Sequence, residues 1–219
     1  MSSFAHGQTN FGIYVGSVTN KFEGDDVSKL TDLRFSIKST ITTGVVIDIP
    51  VASDVYITII PGYKTIAGTT YKSNPLYEVQ VNLGLSPTAP RYKDISDIKL
   101  QYIALPVLLK VISNNERWQF MAGIESAWSF SSKLTDLEID SKIEIGQHIR
   151  DINVSAIFGF GYRFNLLKQK FAFDLMYTQG LLNVSSGYQL DVASVPRVKT
   201  TTGESRLTWY LPLKSAKKQ

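Results

Sequence analysis

Cysteine is missing from all 219 residues, which removes disulfides, thiolate metal sites and cysteine nucleophiles from consideration. Histidine is nearly missing, with only His6 and His148 present, so an enzyme that relies on a histidine base has little to draw on. No run of about twenty apolar residues occurs, which excludes a membrane-spanning helix. A membrane-spanning barrel is not excluded, because alternating strands average out in any hydropathy window. Basic residues exceed acidic ones by 23 to 19, for a net charge of +4. They are scattered instead of gathered into a stripe, which sets nucleic acid aside as a partner. A chain of this length reads as one domain.

What is present is alternation. In residues 151–164, Ile152, Val154, Ala156, Phe158, Phe160, Tyr162 and Phe164 share one face of an extended strand. Asp151, Asn153, Ser155, Ile157, Gly159, Gly161 and Arg163 share the other. The same two-faced pattern recurs near 10–22, 34–50, 55–64, 101–111, 117–131, 171–178 and 204–213. The connections between these segments run long, short, long, short, long, short, long. In an up-and-down barrel that rhythm puts short turns at one end and long loops at the other. The expected fold is therefore all-β, an eight-stranded antiparallel up-and-down transmembrane β-barrel spanning residues 8–213, with both termini periplasmic. Within the second long connection, the alternating patch Glu78–Leu83 is expected to extend a hairpin. Pro106, inside a strand, predicts a bulge or a broken ladder bond.

Volume decides which face points outward. The Phe, Trp, Ile and Leu face would overfill an eight-stranded interior, whereas the Gly, Ser, Ala and Thr face fits it. Trp118, Trp128, Phe130, Phe164, Phe171, Tyr177 and Trp209 lie near strand ends on the apolar face, where lipid-interface aromatics belong. The inward face carries Arg34, Lys38, Lys64, Lys110, Arg163 and Arg206 against Asp48, Glu125, Asp151, Asp174 and Glu204. Opposite charges in a narrow lumen must pair or reach water, so a plugged, salt-bridged interior is expected in place of an open pore.

Other chemistry finds little support. His148 lacks a serine or acid partner at a diagnostic spacing and reads as a solvated loop residue. Asp25 and Asp26 read as a solvated acidic loop, and no metal or cofactor is expected. Gly159 and Gly161 lie inside a strand and serve curvature or lumen space, not phosphate binding. Residues 1–7, with the small Ala5 and Gly7, read as the remnant of a secretory signal peptide, and residues 214–219 as a polar tail.

Tyr102-Ile103-Ala104-Leu105-Pro106-Val107-Leu108-Leu109-Lys110 resembles the Y-L-E-I-P-L-L-L-K strand of the PorT-like outer-membrane β-barrel family. Tyr177-Thr178-Gln179-Gly180-Leu181-Leu182-Asn183 resembles that family's R-Y-x-x-G-L-x-N strand end. Gly12-Ile13-Tyr14-Val15-Gly16 and Pro61-Gly62-Tyr63 fit more loosely. The resemblance implies a small barrel in the outer membrane of Gram-negative bacteria that use type IX secretion, which the name-giving member assists. Two positions depart from the pattern: Ala104 replaces an acidic residue, and the chain ends in Leu213–Gln219 where a terminal aromatic is usual. The expected function is a non-enzymatic outer-membrane barrel with a plugged lumen and external loops that bind a partner or ligand. The alternatives are an accessory of type IX protein secretion and a narrow passive pore. Expected partners are outer-membrane lipid and other envelope or secretion proteins.

Overall fold

The computed structural model describes residues 8–23, 34–35, 37–84, 86, 88, 90, 92–137, 141–144, 150–182, 184 and 199–212. Residues 1–7 and 213–219, read above as a signal remnant and as the strand end with its tail, lie outside them. The strands are β1 (Asn10–Glu23), β2 (Arg34–Phe35), β3 (Lys38–Ala52), β4 (Val55–Ile59) and β5 (Gly62–Ser73). A helix, α1 (Pro75–Asn82), precedes β6 (Tyr92–Ile112), β7 (Trp118–Asp136), β8 (Ser141–Glu144), β9 (Ile152–Leu166), β10 (Gln169–Gly180) and β11 (Lys199–Tyr210).

All pairings are antiparallel, in the order β2-β5-β6-β4-β3-β1-β11-β10-β9-β7-β8, and the further pairings β5–β3 and β6–β7 close the sheet on itself. β2 with β3, β4 with β5 and β8 with β9 each make one stave, which leaves eight staves. Closure joins the first stave to the last: Val15 faces Leu207 of β11 on one side and Thr43 of β3 on the other.

Period-two alternation gives the wall its two solvents. Ile13, Val15, Ile41, Ile103, Phe120, Ile124 and Phe158 stand exposed on the outside, while Val18, Leu108 and Ile157 are buried inside. An exposed apolar surface of this extent belongs in lipid. On β7 the outward tryptophans Trp118 and Trp128 bound the band. Ten residue steps of about 3.4 Å, tilted by roughly 40°, rise close to the height of an outer-membrane apolar belt, about 25 Å.

Pro106 acts on its neighbour. The β6–β7 pairing runs through Pro106↔Glu125 in register, and its irregularity falls instead between Gln101 and Tyr102. The Pro106 carbonyl accepts from the Ile60 N–H at 3.0 Å, so the missing proline N–H faces the same stave. That stave is interrupted there, between Ile59 and Gly62. A broken ladder bond at the proline was the expectation, and the break lies in the facing strand. Gly123 on β7 is required by close approach, because a Cβ there would fall on the Val107 carbonyl and 2.8 Å from Leu108 Cα.

Three strands outrun their apolar stretches. β5 continues to Ser73, β6 begins at Tyr92 and β7 continues to Asp136, where β8 adds a further strand. Apolar alternation marks only the part of a strand that faces lipid, so these polar extensions gave no sequence signal. The patch Glu78–Leu83 is not part of a hairpin. It falls in and just after α1, whose start is set by Pro75 and by the Asn74 side chain accepting from the Leu76 N–H at 3.1 Å.

The β3–β5 ladder spans only Thr42↔Lys64 to Gly44↔Gly62. Between it and the β2–β5 pairs Arg34↔Tyr71 and Phe35↔Thr70 the two staves are joined by side chains: Thr40 Oγ1 donates to the Thr65 carbonyl at 2.5 Å. Higher up, Lys38 Nζ lies 2.7 Å from Asp97, which also accepts from Thr69 Oγ1 at 2.6 Å.

Candidate functional site

Among the described residues seven acidic or basic side chains are buried in the lumen: Asp48, Lys64, Lys110, Glu125, Asp174, Glu204 and Arg206. Each sits on the inward parity of its strand, and the register brings them into two groups. Toward the short turns, Lys110 Nζ of β6 lies 2.7 Å from Asp48 Oδ1 of β3 and donates to Tyr210 Oη of β11 at 3.1 Å. Thr58 Oγ1 donates to the same Asp48 oxygen at 2.7 Å. Asp174 of β10 accepts from Gln119 Nε2 of β7. Gly161 makes room for it, since a Cβ at that position would fall on the Asp174 carboxylate.

The second group lies higher. Lys64 Nζ of β5 donates to both Glu125 oxygens of β7, at 3.1 and 3.3 Å, and lies 3.9 Å from Glu204 Oε2 of β11. Arg206 grips the same Glu204 through Nε and, at 3.0 Å, through Nη2. Its guanidinium stacks 4.7 Å from the centre of the Tyr14 ring. Burying one unpaired charge costs several kcal/mol or more, which is why each buried cation is held against a carboxylate and Lys64 is shared between two. Arg206 Nη1 and Gln119 Oε1 have no protein partner among the described residues, which fits water held inside the network.

The remaining expected members stand elsewhere. Lys38 is about 39% exposed and staples β3 to the β5–β6 hairpin through Asp97, well away from the buried groups. Arg163 is half-buried at the short-turn mouth, its guanidinium 5.6 Å from the centre of the Tyr210 ring. Asp151 is exposed one residue ahead of β9, where the strand has not yet entered the ring and its side chain reaches water. The Arg34 side chain, like His6, Asp25, Asp26 and His148, lies outside the described residues.

The aromatics named from the sequence are all on the outer wall. Trp118, Trp128, Phe130, Tyr177 and Trp209 are exposed, and Phe164 and Phe171, half-buried, stack on each other with ring centres 5.7 Å apart. Trp118 meets Tyr162 edge to face at 5.0 Å, and Phe130 meets Tyr63 at 6.0 Å, so the rings gather at two levels.

Sequence reasoning passed over the neutral members. Thr58, Gln119, Tyr14 and Tyr210 have the inward parity of their charged neighbours and could have been found by it. Val184 could not. This loop residue is buried against Ile66, Leu100, Tyr102, Ala104 and Ala127, held there by Leu181 N–H to the Val154 carbonyl and Arg150 N–H to the Val184 carbonyl. It caps the lumen toward the long connections. Below the cap Asn20, Asn153, Thr202 and Tyr102 are buried, each with a polar atom that lacks a partner among the described residues.

A closed ring of eight antiparallel staves, apolar outside and polar inside, defines a transmembrane β-barrel. The chain belongs to the family of outer membrane protein beta-barrel domains, which residues 3–186 match. Among solved structures it is similar to Ail, the attachment invasion locus protein of Yersinia pestis, at 11% identity over 93% of this chain and 99% of that one, TM-score 0.44. A further Ail structure is of its complex with the heparin analogue sucrose octasulfate. The chain is also similar to OprG from Pseudomonas aeruginosa (9% identity, 93% and 95% covered, TM-score 0.48). Neisserial surface protein A is similar at 9% identity, with 93% and 99% covered and a TM-score of 0.46. Comparison with curated proteins finds no match.

Proposed function

We propose that this is a non-enzymatic outer-membrane barrel with a plugged, non-conducting lumen, both termini and the short turns in the periplasm, and external loops that bind a partner or ligand. The observation that carries the reading is the interior itself, where cations and carboxylates pair through the lumen between staves that are not neighbours. An open pore would have to break those pairs. The loop side is supported by its ordered extent, since β5, β6, β7, β8 and α1 build a surface beyond the upper aromatic level. Single-channel recording on the purified barrel tests the plug: no steady conductance is expected, and a stable open level would replace this reading with a narrow pore.

A second reading, an accessory role in type IX secretion, is favoured by the Tyr102–Lys110 and Tyr177–Asn183 segments. In the first of these, Tyr102, Leu108 and Lys110 are lumen residues and Ile103, Val107 and Leu109 are wall residues. The segment is thus accounted for by barrel construction. The secretome of a deletion strain separates the two readings. Unchanged export of type IX cargo keeps the first, and periplasmic retention rescued by complementation establishes the second.

A further inference from the structure

At the short-turn end β9 and β10 overhang β7: Trp118, the first residue of β7, faces Tyr162, while β9 continues to Leu166. The overhang leaves a cleft of about 530 Å³ between the β6–β7 turn and the β9–β10 hairpin, within the span of small-ligand sites, about 300–1,000 Å³. Arg117, Arg163 and Lys170 line it, with Glu116 as the one carboxylate in the lining. None of the three cations has a carboxylate within salt-bridge distance among the described residues, in contrast to the lumen cations Lys64, Lys110 and Arg206.

The turn that carries Arg117 is held in place. Asn115 Oδ1 accepts from the Ser113 hydroxyl at 2.6 Å and from the Arg117 N–H at 3.1 Å, and Ser113 Oγ accepts from the Trp118 N–H at 3.1 Å. Asn115 Nδ2 and the Asn165 side chain remain as further donors to the cleft. Tyr162, Phe164 and Phe171 form its other flank and belong to the lower aromatic level of the outer wall. The cleft therefore lies at the depth where lipid headgroups meet the barrel.

We propose that this cleft binds the phosphodiester of an anionic phospholipid headgroup, in the periplasmic leaflet for the orientation given above. Two guanidinium groups supply paired N–H donors matched to phosphate oxygens, and the lysine adds a point charge. Three cations against one carboxylate favour a headgroup of net negative charge over a zwitterionic one. The aromatic flank accommodates the start of the acyl chains.

The test is an amide NMR titration of the full chain in micelles of uncharged detergent, with dihexanoyl phosphatidylglycerol, dihexanoyl phosphatidylcholine and inorganic phosphate as probes. Phosphatidylglycerol is expected to shift the amides of 114–117 and 163–170 saturably, with the other two probes at least about tenfold weaker. The Arg117→Gln/Lys170→Gln variant should weaken phosphatidylglycerol about thirtyfold, with the heat-dependent gel mobility of the barrel retained. Equal binding of phosphatidylglycerol and phosphatidylcholine overturns the proposal, as do shifts confined to other residues and full affinity in the folded variant. Inorganic phosphate binding as tightly as the lipid also overturns it and assigns a free-anion site. Probe selectivity in the unaltered chain decides the matter even where the variant does not fold.

Discussion

The part of the lumen toward the short turns and the part toward the long connections solve different problems with the same alternating strands. The first holds formal charges, and nearly every one is matched: Lys110 with Asp48 and Lys64 with Glu125 between staves, Arg206 with Glu204 along β11. The second holds amides and hydroxyls, and Asn20, Asn153, Thr202 and Tyr102 each leave a buried atom without a partner among the described residues. An unmatched charge costs far more than an unmatched hydroxyl. Pairing is therefore strict where the side chains are ionised and loose where they are neutral.

The contrast is broken most strongly by removing one charge of a matched pair. Lys110→Met strands Asp48 in the lumen and is expected to destabilise the barrel by about 3–5 kcal/mol, read as a lower urea midpoint for loss of the heat-modifiable form. Adding Asp48→Leu should restore most of that loss. Equal stability of the single variant and the parent chain would show that water, not Lys110, satisfies Asp48.

Space in the charged part comes next. Gly161→Ala puts a Cβ onto the Asp174 carboxylate and should cost about 1–3 kcal/mol in the same urea assay. An unchanged midpoint would mean that Asp174 has a second place to go.

In the neutral part, Thr202→Val removes a hydroxyl that has no partner among the described residues and keeps the side-chain shape. Its urea midpoint should stay within about 0.5 kcal/mol of the parent. A large loss would reveal a tightly bound water at Thr202 and make the two parts of the lumen alike.

The smallest effect is expected at the half-exposed pair above the upper aromatic level. Burial raises the Asp97 carboxyl, but the hydrogen bonds from Lys38 and Thr69 and the lysine charge outweigh it and hold it below the usual carboxylate range. A depressed folded value means that the contribution is complete above the unfolded aspartate value, about 3.9, and is lost as pH falls through the lower folded value. Acidification below about pH 4 should loosen the junction of β3 with the β5–β6 hairpin, visible as faster amide exchange at residues 65–70. Exchange at those amides that is flat across this range would show that Thr40 and the backbone hold the junction without the ion pair.

Legibility followed the same physical divide. Where a strand faces lipid on one side and a packed lumen on the other, each face demands its own side chains. The alternation of Phe158 and Phe160 with Ile157, Gly159 and Gly161 therefore identifies the strand and assigns its faces. Where β5, β6 and β7 rise beyond the upper aromatics, polar residues suit both faces and the alternation fades, so the extensions and α1 were invisible. Asp151 was misplaced for a related reason. Parity assigns a side but not a height, and one residue before β9 there is no lumen to face.

The sequence by itself determined the all-β fold, the number of staves, the rhythm of turns and loops, and which residues share a face, because these depend on local periodicity and chain length. Tertiary structure alone decided which charges meet. Lys110 finds Asp48 and Tyr210 at separations of 62 and 100 residues, set by the stagger of the staves as the ring closes. It also decided that Val184 caps the lumen and that Arg117, Arg163 and Lys170 converge on one cleft, because those placements depend on where strands end in space, which no period in the chain records.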